Sequence, residues 1–210
     1  MRGASVVHGD TSAPAGKVLW HVTMSLDGFI AGPGDSMAWM GPYIGPNTDV
    51  DEVLASTGAV VMGRRSYDIG KPYGGVLDVP VFVLTHSSAL SDGVATPDGV
   101  TIASGDIGEV IASGLDAAAG KNVAIIGASV ARQCVEIGLV DELLVHLAPV
   151  LLGDGVRLFE RVGGPVVEFT PIGGQQRRPD HQPAIPPRWL AIQRAGSRLG
   201  ESNSRPSHYE

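Results

Sequence analysis

Three short polar turns, each directly after an apolar run, carry the residue types that could do chemistry in this chain. Ala59-Val60-Val61-Met62 opens into Gly63-Arg64-Arg65-Ser66, Val79-Pro80-Val81-Phe82-Val83-Leu84 into Thr85-His86-Ser87-Ser88, and Val123-Ala124-Ile125-Ile126 into Gly127-Ala128-Ser129. A short unbroken apolar run reads as a strand buried on both faces. Small residues between such a strand and a helix leave backbone N–H groups open to a phosphate or an amide. The paired arginines add guanidinium forks that match phosphate oxygens, beside the partial positive charge of a helix start. Each feature also has an ordinary reading: βα turns need glycine just as often, and solvated arginines are common at any surface. The rest of the chain decides.

Bulk properties narrow the chemistry. With 210 residues the chain is long enough for one domain with a real core. A formal charge of −7 argues against a nucleic-acid surface, which draws on clustered Lys and Arg. No apolar run approaches membrane-spanning length. Residues 1–16 lack the apolar core of a signal peptide and read as a disordered arm, so the expected location is cytoplasmic. Cys134 is the only cysteine, which excludes an intrachain disulfide and a Cys-x-x-Cys metal site; it reads as core filler on a short helix. The histidines lack metal-ligand spacing. Gly-x-Gly-x-x-Gly, P-loop and Gly-x-Ser-x-Gly signatures are all missing from the sequence.

The elements that would position these turns alternate between strand and helix. Lys17 to Met24 reads as the first strand, and Asp27-Gly28 as a tight turn out of it. Pro33 to Pro46 is rich in Gly and Pro and holds Trp39 and Tyr43. Such a loop suits a pocket wall or lid, and equally a surface loop with two aromatics tucked onto the core. Asn47 to Ser56 has acidic residues in its first turn and Val50, Val53 and Leu54 at helical spacing. Val100 to Ala103 reads as a strand and Asp106 to Ala119 as a helix interrupted by Gly114. Ser129 is a plausible N-cap for a helix over Val130–Ile137, which Gly138 stops. Leu143 to Val150 is a strand apolar on both faces except for His146, and a lone His there is more often a satisfied core residue than a catalyst. Leu151 to Gly155 turns, Val156 to Phe159 caps, and Val166 to Thr170 is a late strand. From Gly173 on, Gly, Pro and polar residues cannot continue a strand or helix. Arg188 to Gln193 can form one short strand, and Ala195 to Glu210 reads as a disordered tail. The pattern predicts an α/β domain with a mostly parallel central sheet flanked by helices. In such sheets ligands sit beyond the carboxyl ends of the strands, so the three turns are expected to line one elongated cleft.

Five motifs in order extend this reading: Ser25-Leu26-Asp27-Gly28-Phe29-Ile30-Ala31, Val61-Met62-Gly63-Arg64-Arg65-Ser66-Tyr67, Ile126-Gly127-Ala128-Ser129, Gly138-Leu139-Val140-Asp141-Glu142-Leu143 and the run from Pro149 to Phe159. Together they resemble the dihydrofolate reductase-like superfamily, most closely the riboflavin-biosynthesis reductase (RibD C-terminal domain) family and its stand-alone relatives. The resemblance implies a single dihydrofolate reductase-like domain over residues 17–172, with 173–210 as an atypical, largely disordered tail. It implies NADPH as cofactor and a small-molecule substrate. By the same resemblance Gly63, Arg64, Arg65 and Ser66 grip the cofactor's phosphates, and Thr85 and His86 flank its adenosine end. Gly127, Ala128, Ser129 and Val130 hold the pyrophosphate and nicotinamide. The zinc deaminase that often precedes this reductase needs a cysteine cluster that a single cysteine cannot supply.

The expected activity is hydride transfer from NADPH to a pterin- or pyrimidine-like heterocycle or a carbonyl compound, as in dihydrofolate reductase or 5-amino-6-(5-phosphoribosylamino)uracil reductase. The rival class is a nucleotide-binding protein without turnover that uses cofactor occupancy as a signal. In dihydrofolate reductases a carboxylate early in the first helix holds the pterin. Here a simple offset from Met62 lands on Asn47, with Asp49 and Asp51 close by. Asp27 and Asp49 are the candidates for an acid that supplies a proton, and Trp39 is the candidate for substrate contact. Asp27 has the alternative of only making its turn. The family's habit implies a homodimer, with no membrane or nucleic-acid partner.

Overall fold

The computed structural model describes residues 16–70, 78–86, 97–175 and 188–194. The expected N-terminal arm up to residue 15, Ser87 and Ser88, and the tail from residue 195 lie outside them.

Apolar runs make the strands, and side chains that accept from backbone N–H groups start two of the helices. β1 (Val18–Ser25) enters the core, and the Asp27-Gly28 turn leads into β2 (Phe29–Ala31). Two 3-10 turns, Pro33–Asp35 and Ala38–Tyr43, occupy the Gly/Pro-rich loop. α1 (Thr48–Ser56) begins where Asn47 Oδ1 accepts the Asp49 N–H at 2.9 Å. β3 (Thr57–Gly63), α2 (Arg64–Gly70), β4 (Val81–Leu84) and β5 (Val100–Ala103) follow. α3 (Ile107–Ala117) is capped by Asp106, whose Oδ1 accepts the Gly108 N–H at 2.7 Å. Then come β6 (Asn122–Ile126), α4 (Ala128–Ile137), β7 (Glu142–Ala148), β8 (Val156–Arg157), β9 (Phe169–Gln175) and β10 (Arg188–Arg194).

Among the described residues the main sheet has eight strands in the order β5-β4-β3-β6-β1-β7-β10-β9. Every pairing from β5 across to β7 is parallel; β10 runs antiparallel to β7, and β9 antiparallel to β10. This is the mostly parallel α/β sheet that the alternating pattern predicts. One face carries Trp20, Val61, Ile125 and Leu143, which pack with Ile111 of α3 and Val130 and Cys134 of α4. Each aliphatic side chain buried there contributes about 1.5–3 kcal/mol. Burial also pushes the Cys134 thiol up to about 12, so it fills the core without reacting. The strand period of two sends the alternate residues of β1 and β7 to the other face, His21 and Thr23 beside Leu144 and His146.

Three local expectations change. α4 starts at Ala128 with Gly127 as its N-cap, so Ser129 lies inside the first turn and caps nothing. Gly127 has φ 97°, a left-handed turn that drives the chain straight from β6 into the helix and leaves no residue for a side-chain cap. Ala31 and Phe29 pair with Val156 and Arg157, so the segment after Gly155 is a strand of a second, two-stranded sheet. Beyond Thr170 the strand does continue. β9 runs to Gln175, three residues past the expected boundary at 172, and β10 lies in the sheet between β7 and β9. Among the described residues β9 pairs only with β10, and at such an edge position a proline is tolerated at Pro171.

Candidate functional site

Parallel pairing puts the carboxyl ends of β4, β3 and β6 side by side, with Gly63 opposite Leu84 and Met62 opposite Ile126. Two of the three polar turns therefore meet: a Cβ built on Gly127 would lie 2.3 Å from Ser66 Oγ. Thr85 continues β4, its N–H donating to the Ala103 carbonyl at 3.0 Å, and His86 is exposed. Ala128 is buried and Ser129 exposed. Val130, expected to touch a cofactor, sends its side chain into the core, because helical periodicity turns the third residue of α4 towards the sheet.

Gly127 makes no side-chain cap bond. The first turn of α4 thus presents backbone N–H groups that in α1 and α3 are partly taken up by Asn47 and Asp106. At the neighbouring strand end, Arg64 Nε donates to Asp68 Oδ2 at 2.8 Å, one helical turn on. Arg65 pairs through Nε with Asp35 of the first 3-10 turn, while its side chain stays 74 % exposed. An exposed pair of this kind is weak and readily exchanged for a better anion.

The two candidate acids differ. Asp27 sits in the turn after β1, where the Ser25 hydroxyl donates to its Oδ1 at 2.6 Å. The Gly153 N–H donates to Oδ2 at 2.7 Å, and the Leu152 N–H reaches both oxygens at 3.1 Å. The Ser25 hydroxyl first, then these N–H groups, hold the carboxyl down at about 2. A group so placed is a carboxylate at neutral pH and ties the end of β1 to the loop after β7. These contacts fit the alternative that Asp27 makes its turn.

Asp49 is the second residue of α1. Its N–H is bound by Asn47, but its Oδ2 is buried without a hydrogen-bond partner among the described residues. Trp39 Nε1, on the Ala38–Tyr43 turn, is in the same condition, and so is Nδ1 of His146. His146 is 3 % exposed, and its Nε2 lies 2.6 Å from Nε2 of His21. Burial lowers both histidines: His21, opposed also by His146, falls to about 4, while the charge of Asp49 partly offsets the lowering of His146. Asp49 and His146 therefore feel each other without sharing a hydrogen bond.

His21 and His146 are the residues that sequence reasoning left out of the site. The available signal was the period of two, which puts His21, Thr23 and Ser25 on one face of β1. Among the described residues there is no group of His, Cys, Asp and Glu suited to a metal ion, and no helix is long and apolar enough to cross a membrane.

Comparison with known proteins defines first the class. The chain has TM-score 0.69 to a putative riboflavin biosynthesis protein from Shewanella sp. PV-4, at 23% identity, covering 85% of this chain and 99% of that one. It has TM-score 0.59 to dihydrofolate reductase from Enterococcus faecalis, solved as a complex with NADP(H), at 15% identity over 86% and 98%. The fold is dihydrofolate reductase-like. Within that class the chain resembles the RibD C-terminal domain, whose family model matches residues 109–181. It is also 25% identical over 154 residues to the uncharacterized protein YyaP of Bacillus subtilis (strain 168), covering 68% of this chain and 80% of that one. The resemblance inferred from the five motifs is borne out.

Proposed function

We propose that this protein is an NADPH-dependent reductase that transfers hydride to a small pterin- or pyrimidine-like heterocycle or a carbonyl compound. One arrangement carries the reading: donor turns on β3 and β6 stand side by side at the carboxyl edge of a single parallel sheet, and Asp49 on α1, whose charge reaches His146, keeps a buried, unpartnered carboxylate oxygen. The RibD C-terminal domain match and the dihydrofolate reductase-like fold support a reductase. The donor set fits the cofactor, since an uncapped helix start and two arginines are chemistry for a pyrophosphate and a 2′-phosphate. Gly63, Arg64, Arg65 and Ser66 would hold phosphate, Thr85 and His86 would flank the adenosine, and the Gly127–Val130 backbone would hold the pyrophosphate and nicotinamide. When bound, the dihydronicotinamide supplies hydride; the protein aligns it and excludes water.

Asp49 takes the substrate-holding role that the dihydrofolate reductase resemblance gives to a carboxylate early in the first helix. Asn47, where the sequence offset fell, is occupied as the cap. Trp39 would contribute an indole N–H to the same substrate. The reading includes a cytoplasmic homodimer, supported by the exposed Leu151, Val162 and Val166 on the segments between β7 and β9. The test is NADPH oxidation over a panel of pterins, pyrimidines and quinones, with NADPH binding measured in parallel. Oxidation with any member supports the reading. Tight binding without oxidation across the panel selects the signalling alternative, and absence of NADPH binding refutes both.

A further inference from the structure

The substrate side of the cleft holds a polar device that an acid on α1 alone does not account for. His21 and His146 come from strands far apart in sequence, and only the β1–β7 register brings their Nε2 atoms to 2.6 Å. That distance requires one N–H between the rings, with the other ring accepting through its lone pair. Both rings being charged is excluded by their proximity and burial, and both are held below the usual histidine range. His146 is buried to 3 % exposure with Nδ1 unpartnered, whereas His21 is partly exposed. One end of the pair is thus partly open to water, and the other ends in a buried, unpartnered nitrogen on a ring that feels the charge of Asp49.

Resting on the reductase reading, we propose that His21 and His146 form a two-imidazole proton relay whose inner end, His146 Nδ1, protonates the substrate held at Asp49. In the resting relay the hydrogen of His146 is on Nδ1, the nitrogen that has no acceptor in the fold and is free to donate to a substrate. His146 Nε2 then accepts from His21 Nε2–H, leaving His21 Nδ1 as the open lone pair. As hydride reaches the carbon of a C=N or C=O bond, the π pair moves onto the heteroatom, which takes the proton from His146 Nδ1. The His21 Nε2–H bond breaks as the His146 Nε2–H bond forms, and water supplies a proton to His21 Nδ1. One proton enters, one leaves, and neither ring holds a lasting charge. After product leaves, the reverse shift, with water as donor at His146 Nδ1, restores the first tautomers. His146 is the catalytic residue in this scheme, and His21 is a positioning and relay residue.

The groups that face His146 are limited. β1 provides His21 and its register partner Thr23, and α1 provides Asp49. Glu142, on the same face of β7, is paired with Lys17 at 2.6 Å. On its other side β7 pairs with β10, in a backbone register that sets position 189 against position 146.

The test uses the full-length chain, 15N-labelled on histidine, with His21→Gln as the main variant. Glutamine can still donate to His146 Nε2 but cannot pass a proton through. Nitrogen NMR at neutral pH should show His146 protonated on Nδ1, His21 protonated on Nε2, and a coupling across the shared hydrogen. With NADPH and the reduced product bound, so that water does not reach Nδ1, the His146 ring hydrogen should exchange with D2O through His21, at least about tenfold more slowly in the variant. With any substrate found active, His21→Gln should lower kcat about tenfold or more with KM little changed, and free imidazole should restore rate to His21→Ala. A charged or Nε2-protonated His146, or equal exchange in wild type and variant, overturns the relay whatever the enzyme assay gives. Full kcat in His21→Gln across pH also overturns it while leaving the reductase intact. If no substrate is reduced, the reductase reading fails, and the relay stands or falls on the tautomers and the coupling across the shared hydrogen.

Discussion

Asp27 and Asp49 stand at the starts of two turns near the carboxyl edge of the sheet, and their surroundings are opposite. Asp27 has its oxygens filled by the chain itself, from Ser25, Leu152 and Gly153. The hydroxyl that bonds it is in turn fixed, because Ser25 Oγ also accepts the Phe29 N–H at 2.9 Å. Asp49 has one oxygen buried and unmet, and His146, which feels its charge, has a ring nitrogen in the same condition. A carboxylate satisfied by its own fold contributes to the fold. One left unsatisfied costs stability until something else arrives, and that cost is a mark of function. The sequence ranks the two alike, since each is an Asp next to a turn.

The largest effect that would break this contrast is at Asp49. Asp49→Asn should lower kcat/KM by about two orders of magnitude or more. It should leave the melting temperature unchanged or raised, because the substitution removes a charge the fold does not satisfy. Steady-state kinetics and a thermal melt on one preparation check both. A variant that loses stability as well as activity would make Asp49 a structural residue like Asp27.

Next in size is the β6–α4 turn. A side chain at Gly127 is opposed by the fold itself, before any cofactor is considered. Any Cβ there meets Ser66 Oγ at 2.3 Å, on a backbone with φ 97°. Gly127→Ala should cost about 1–2 kcal/mol of stability from the backbone conformation alone. Ser66→Ala in the same chain should recover only the part due to the clash. Chemical denaturation of the two single variants and the double variant measures this, and an undiminished stability in Gly127→Ala would mean that the turn relaxes freely.

Much of the architecture was legible because it rests on local rules. The apolar runs marked Val100–Ala103 and Val123–Ile126, and helical spacing marked Asn47–Ser56 and Asp106–Ala119, whose caps at Asn47 and Asp106 the structure adds. The end of the chain was less so. Arg188–Gln193 reads as a strand and Gly173 onward as unable to continue one, whereas β9 runs through Pro171, Gly173 and Gly174 to Gln175, because at a sheet edge the rules against such residues are relaxed. That the Gly63–Ser66 and Gly127–Ser129 turns adjoin was legible, since they lie at the ends of predicted strands. The histidine pair was not: His21 and His146 are joined only by a register between distant strands, and each looks like a lone core histidine in its own segment.

A smaller effect is expected at Arg65. Its guanidinium is exposed and only loosely held by Asp35, so Arg65→Ala should weaken NADPH binding by about tenfold or less, and less again at high salt. NADH, without the 2′-phosphate, should bind wild type and variant alike. Equal loss for both cofactors would place Arg65 elsewhere than at that phosphate.

The last prediction uses acid to read Asp27 by itself. Its folded value, about 2, lies below the ordinary 3.8, because the Ser25 hydroxyl and then the Gly153 and Leu152 N–H groups favour the charged form. The folded state therefore binds this proton more weakly than the unfolded chain does. The stability it contributes is complete above the unfolded value and fades as pH falls from about 4 towards 2. Asp27→Asn keeps an oxygen that can accept one N–H but removes the charge. The variant should melt lower than wild type at neutral pH, and the gap should narrow through that acid window. Thermal melts of both proteins at steps between neutral pH and pH 2 follow the gap directly. If the gap is constant with pH, the charge is not what holds the β1 turn to the loop after β7. If Asp27→Asn instead abolishes activity at full stability, Asp27 joins Asp49 in the chemistry and the contrast between them dissolves.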